Sequence, residues 1–322
     1  MKQISFMPTI FEHAAFLIGQ TPSSAAYSAE LMAQAHIEAY KQYGHGVVTV
    51  GIDVYNIEAE AIGCTVQVYD DNSIPGIAHR ALTLDDAPDD IVFSVSSGRI
   101  QTVLDAASQV KRVIGDDVPV SVGICGPYSI LIELLGYEHV MNAIYDSEEK
   151  IVNFLDALLD FQKCYCDEII SRGLGVSVFE SWASPPLTSP GIYQELVLPY
   201  EQKLFSYLKI LGTVSCPLII GGDTSSIAED ILESGTTLLL SDYNTPLTEY
   251  VEMARKKGIS LRVNIDPKLV YKGAWDEISC RIKEIYTHYD SYDKILIGTG
   301  VIPYDTPPGN IIRIKQLFDF KN

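Results

Sequence analysis

The sequence predicts an α/β protein, built as a single (β/α)8 TIM-type barrel with an N-terminal helical extension, and three observations point there. Short β-branched apolar runs alternate with longer amphipathic segments. The runs are apolar on both faces, as strands are when crossover helices cover a parallel sheet on either side. About eight strands over this length favour a closed barrel rather than a doubly wound sheet. No Pro/Gly/Ser-rich linker divides the chain, so one domain is expected over residues 1–322.

The elements follow in order. A helix from Ser23 to Tyr43 forms the extension, opened by Thr21-Pro22, since proline suits the first helical turn. Val47–Asp53 is the first clear strand. Strands are then expected at Val118–Cys125, Val176–Glu180, Pro217–Gly222, Thr237–Asp242, Ile259–Asp266 and Lys294–Gly298. Helical periodicity fills the gaps, at Ile100–Ile114, Ser147–Ser171, Gly191–Leu211, Ser225–Leu232, Leu247–Lys257, Trp275–Tyr289 and Asn310–Phe320.

Composition excludes several classes of function. Acidic residues number 42 against 23 basic ones, a net charge of −19, and no basic stripe offsets it. Nucleic acid and anionic membrane surfaces are therefore not expected partners. The 6 cysteines lack the spacing of a disulfide scaffold and no apolar leader opens the chain, which fits a reduced, cytoplasmic location. Apolar stretches such as Leu238-Leu239-Leu240 fall far short of the roughly 20 residues of a membrane helix. No Gly-x-Gly-x-x-Gly follows a strand, and Gly221-Gly222-Asp223-Thr224-Ser225 lacks a phosphate-loop lysine.

Barrel chemistry sits at the C-terminal ends of strands. Those ends carry Asp53, Cys125, Glu180-Ser181-Trp182, Gly222-Asp223-Thr224, Asp242-Tyr243, Asn264-Ile265-Asp266-Pro267 and Thr299-Gly300. Several are also family motifs. Val178–Ser184, Leu187–Pro190, Leu198-Pro199-Tyr200, Asn264–Pro267 and Gly298–Asn310 resemble segments of uroporphyrinogen decarboxylase, and so do Asp53–Gly63 and Gly123–Tyr128. The resemblance covers nearly the whole chain. It implies a (β/α)8 barrel and two chemistries: tetrapyrrole decarboxylation, and corrinoid-linked methyl transfer in which zinc activates a thiol.

Each chemistry needs residues that can be looked for. The decarboxylases bind a ring of carboxylates with N-terminal arginines, but here only Lys2 and Lys41 precede Arg80. Set against that family, its active-site tyrosine falls at Glu133 and its histidine at Thr299. The segments Pro8–Ala15, Glu58–Gly63 and Gly221–Thr224 look more like the methyltransferase branch. That branch's zinc ligands, however, fall at Ile219, Gly221 and Val301, none of which coordinates a metal. Cys164 and Cys166 face different sides of a helix, so no metal ligands are assigned.

A zinc-free member can use an acid instead. Asp53, Glu58 and Glu180 are the candidate catalytic groups, able to protonate a departing oxygen or nitrogen where burial or a second carboxylate raises a pKa. His13, Tyr128, Ser181, Trp182, Asp223, Asn264 and Thr299 are the candidate substrate-binding residues. Each has a plainer reading: His13 as a core histidine, Asp53, Asp223 and Asn264 as caps, Trp182 as packing, Glu58 and Glu60 as favourable charges at a helix start. The expected function is methyl transfer between a small methylated metabolite and a separate corrinoid protein, or a non-thiol acceptor. Cobalamin is then a transient methyl carrier on that partner, with no tightly bound cofactor, and a homodimer is compatible. One alternative is tetrapyrrole decarboxylation, if Arg80, Arg99, Arg172 or Arg262 cluster at the barrel mouth. Another is a non-catalytic binding barrel, favoured by a mouth closed with apolar side chains and opposed by an open cleft ringed by Asp53, Glu180 and Asp223.

Overall fold

The strands are β1 (Phe6–Thr9), β2 (Val48–Val50), β3 (Thr65–Gln67), β4 (Gly76–His79), β5 (Val120–Cys125), β6 (Gly175–Phe179), β7 (Leu218–Ile219), β8 (Leu238–Ser241), β9 (Ser260–Ile265) and β10 (Ile295–Val301). The computed structural model describes residues 4–289 and 291–319. Eight strands are parallel and form two four-stranded sheets, β2-β5-β6-β7 and β1-β10-β9-β8. Backbone bonds tie the two sheets into a barrel: Gly46 N–H donates to Phe6 O at 2.9 Å, and Thr237 N–H donates to Cys216 O at 3.2 Å. The barrel order is thus the chain order, with a helical crossover after nearly every strand.

Sequence periodicity places many of these elements. The helices Ile100–Ile114 and Leu247–Lys257 have the expected bounds. The second stops at Gly258, whose φ of +75° gives the left-handed turn that caps a helix cheaply only with glycine. The N-terminal helix is divided into Pro22–Ala26 and Ala29–Tyr43 because Ser28 is extended and its hydroxyl accepts the Leu31 N–H. Those helices, expected ahead of the barrel, form its first crossover, because β1 precedes them and pairs Met7 with Gly298. The antiparallel hairpin β3-β4 lies outside the barrel order, and its short, largely exposed strands carry little apolar pattern.

Side chains pointing into the barrel follow the two-residue strand alternation. On β6, Gly175, Ser177 and Phe179 share that inward face, and all three line one cavity. Phe179 packs edge-on against Phe11 with ring centroids 5.5 Å apart. With Val54 they form an apolar cluster separate from the main core, flanked by Tyr55 and Ile219. This cluster plugs the lumen below the strand ends. Among the described residues no helix is long and apolar enough to cross a membrane.

Candidate functional site

Asp53 follows β2 and is entirely taken up by structure. Arg99 grips both its oxygens, Nη1 to Oδ1 at 2.8 Å and Nη2 to Oδ2 at 2.7 Å, and Asn56 Nδ2 adds a bond of 2.9 Å. The flat guanidinium matches a carboxylate edge to edge, which makes this the strongest kind of ion pair. The Asp53 side chain is fully buried. Arg99 also holds Glu60 at 2.5 Å and lies 4.2 Å from the Tyr27 ring centroid. Glu60 therefore has the structural role that its place at a helix start allowed.

Glu58 and Glu180 are of another kind. Glu58 Oε1 accepts the Cys125 N–H at 2.8 Å, and Glu180 Oε1 accepts the Ser129 N–H at 2.5 Å. Both amides border the start of the helix Pro127–Leu135, where free N–H groups favour acceptors. Both side chains are fully buried, and the second oxygen of each has no hydrogen-bond partner among the described residues. Burial pushes the Glu58 pKa up to about 8 and the Glu180 pKa up to about 7, with the Glu180 charge adding to the rise at Glu58. Glu201 joins the same dry region: Tyr193 O–H donates to its Oε2 at 2.6 Å, Oε1 has no partner, and burial raises its pKa well above the usual range. Nearby, Gln162 Nε2 donates to the Cys125 carbonyl. The Cys125 thiol, also raised by burial, is poorly suited to act as a nucleophile.

The half-buried turn after Glu180 supplies the outer part of the site. Ser181 Oγ shares a hydrogen bond with the Tyr55 hydroxyl. Trp182 Nε1 donates to Glu133 Oε1 at 2.7 Å, and Tyr137 stacks on the indole at 5.7 Å. Thr188 Oγ1 donates to Trp182 O at 2.8 Å and lies 3.1 Å from Tyr128 Oη. Glu58, Tyr128, Glu180, Ser181 and Trp182 therefore converge, joined by Tyr55, Glu133 and Glu201, which the sequence reading did not select. Glu133 was noted only as standing where the family has a tyrosine; burial raises its pKa too.

The remaining candidates lie elsewhere. His13 is fully buried, with Nδ1 2.8 Å from Tyr304 O and Nε2 2.8 Å from Tyr43 Oη, and burial lowers its pKa. With both ring nitrogens engaged it is a core histidine rather than a substrate ligand. Asp223 is exposed, its Oδ1 accepting Ser225 N–H at 3.1 Å and Oγ–H at 2.6 Å in a local turn. Asn264 and Thr299 belong to a lumen network. Asn264 Nδ2 donates to Asp242 Oδ1 at 3.0 Å, and Arg262 Nη2 donates to Thr299 O at 2.9 Å. Asp242 in turn fixes the glycine turn by accepting the Gly222 N–H at 2.7 Å. Asp53, Glu180 and Asp223 thus do not ring an open cleft; two are buried and one is a surface turn.

Among the described residues, neither the arginine cluster that decarboxylation needs nor the family's zinc site is assembled. Arg99 is neutralised by Asp53 and Glu60, Arg172 bonds Asp105 at 2.9 Å, Arg262 is inside the barrel and Arg80 is exposed beside Gly136. They form no cluster at the mouth. At the positions matched to zinc ligands, Ile219 flanks the apolar plug, the Gly221 carbonyl accepts the Ser184 hydroxyl at 2.5 Å, and Val301 is exposed. Among the described residues no group of three or more His, Cys, Asp or Glu is arranged to hold a metal ion. These residues do not fit zinc.

The chain belongs to a known family. The family model for uroporphyrinogen decarboxylase (URO-D) matches residues 2–318. Among its relatives, the methylcobamide:CoM methyltransferase MtbA of Methanosarcina mazei is 26% identical over 98% of this chain and 93% of that protein. The uroporphyrinogen decarboxylase of Nostoc punctiforme is 24% identical over 66% of this chain and 60% of that protein. A solved methyltransferase structure from Methanosarcina mazei superposes with a TM-score of 0.87 at 20% identity, covering 100% of this chain and 95% of that one.

Proposed function

We propose that this chain is a methyltransferase that moves a methyl group between a small methylated metabolite and the corrinoid of a separate protein, with a buried carboxylic acid assisting the departing group. The observation that carries this reading is Glu180, a fully buried carboxyl with one oxygen unpartnered and its pKa raised to about 7. A group titrating near neutrality can give a proton to a leaving oxygen or nitrogen, which departs protonated, and regain one from water before the next turnover. Glu58 supports it as a second protonated carboxyl, while Ser181, Trp182, Tyr128 and Glu133 form the surface nearest to it. Relatives named as methylcobamide:CoM methyltransferases support the corrinoid partner, but coenzyme M is not carried over, because Ile219, Gly221 and Val301 offer no metal to activate a thiol.

The test is anaerobic mixing of the protein with methylcobalamin, and separately with reduced cobalamin, while methylated amines, methylated ethers, tetrahydrofolate and thiols are supplied in turn. Substrate-dependent conversion between methyl-cobalt and reduced-cobalt spectra is expected with a non-thiol. Conversion with thiols alone would sink the acid-assisted reading. A second reading, a barrel kept for binding rather than catalysis, is favoured by the Phe11–Val54–Phe179 plug, and spectral silence with every compound would favour it.

A further inference from the structure

Barrel interiors are normally filled by layers of Val, Ile and Leu. Below the plug this one is not. Inward positions hold Thr49, Ser121, Gly175, Ser177 and Arg262, and a cavity of about 540 Å³ occupies the N-terminal half of the lumen. Its rim is formed by Lys111, Gly115 and the loop from Gly212 to Ser215, where Val214 is 92% exposed. That volume falls within the range of roughly 300–1,000 Å³ typical of small-molecule sites.

The polar groups inside are arranged rather than scattered. Hydroxyls run in a row across three strands, Thr49 Oγ1 to Ser121 Oγ at 3.0 Å and Ser121 Oγ to Ser177 Oγ at 3.1 Å. Arg262 enters from β9, held by Nε to Asn264 Oδ1 at 3.2 Å and by Nη2 to Thr9 Oγ1 at 2.6 Å and Thr299 O at 2.9 Å. Its Nη1 makes no hydrogen bond to a described residue. Gly298 clears the space for this side chain, since a β-carbon there would lie 2.2 Å from Arg262 Nε. In a chain of net charge −19, the charged residues lining the cavity, Lys111 and Arg262, are both cations. Lys111 Nζ is committed to the carbonyls of Arg172 and Gly173 at 3.1 and 2.7 Å, which leaves Arg262 as the deep charge.

We propose that this cavity binds a small organic monocarboxylate, its carboxylate on Arg262 and the hydroxyl row and its apolar body along Val47, Leu238 and Leu296. One guanidinium with one donor nitrogen to spare suits a single charge better than a phosphate dianion, and the aliphatic walls suit a hydrocarbon body. Neither Glu58 nor Glu180 lines this cavity, so the site is separate from the Glu58–Glu180 region.

Octanoate and octan-1-ol, titrated into the full chain by calorimetry, test the assignment. Octanoate is expected to bind at one site at least about tenfold more tightly than the alcohol, the margin of a charge-assisted hydrogen bond over a neutral one. Ser177→Leu fills the cavity while keeping Arg262 and should abolish octanoate binding. Arg262→Met should erase the preference for octanoate over octanol; if that variant does not fold, the Ser177→Leu result decides. No detectable octanoate binding, equal affinity for the two probes, or unaltered binding in Ser177→Leu would each overturn the proposal.

Discussion

A β-carbon on Gly126 would stand 1.6 Å from Oε2 of Glu180. The acid and the glycine therefore share one space, and the carboxylate sits where no other residue type at position 126 would let it. Gly126→Ala should push the Glu180 side chain out of place and cost about 1–3 kcal/mol, as overpacking of a tight interior does. Thermal denaturation measures the cost, and an unchanged melting temperature would contradict the packing described.

Glu180→Gln keeps the shape and removes the titration. Loss of a general acid typically lowers a rate by about 10²–10⁴-fold, and a drop of that size is expected in the cobalamin assay, with the fold retained by circular dichroism. Full activity in this variant would show that Glu180 moves no proton.

Asp53 should behave as a structural residue. Asp53→Asn leaves the buried Arg99 with only Glu60 as a counter-charge, and breaking such a pair costs about 3–5 kcal/mol. Combining it with Arg99→Met should recover part of that loss. A double-mutant cycle in urea gives the coupling; additive effects would mean that the pair contributes nothing of its own.

The raised carboxyls set a pH dependence. Glu58 at about 8, and Glu180 and Glu12 at about 7, bind protons in the folded state that the unfolded chain has already released. The resulting stability is complete below the ordinary carboxylate pKa and is lost as pH rises through about 7 and 8. Burial lowers the pKa of His36 to about 4 and of His45 to about 3, which has the opposite sign but acts below about pH 6.5. From pH 6.5 to 8.5 the urea midpoint should therefore fall. Each carboxyl still protonated only in the folded state contributes up to about 1.4 kcal/mol per pH unit, so Glu58→Gln should flatten the slope. A midpoint that rises over this range would rule out protonated interior carboxyls.

Much of the fold was legible because it is local. Periodicity and a terminal glycine mark Leu247–Lys257 within its own residues, and β-branched runs mark β5 and β9. β1 escaped notice because Phe6-Met7-Pro8-Thr9 has no strand-like run; only its pairing with β10 makes it a strand. The candidate site divides the same way. Glu180 was selected from its place at a strand end and Glu58 from its segment, but the pairing of Asp53 with Arg99 depends on a partner 46 residues away. His13 and Asn264 were drawn into the candidate set by motif position, and their contacts with Tyr43, Tyr304, Arg262 and Asp242 come from distant parts of the chain. Arg262 was considered for the mouth, whereas strand alternation turns it inward.

The pairing of β1 with β10 also imposes a timetable on the nascent chain. Thr9 and Thr299 are 290 residues apart, so β1 leaves the ribosome long before its permanent neighbour is made. At about 5–20 residues per second, that is a wait of about 15–60 s. The sheet β2-β5-β6-β7 can assemble meanwhile, but β8, β9 and β10 cannot gain their fourth member from newly made chain. They must recover β1, whose edge toward β10 stays unpaired until then and open to neighbouring polypeptides.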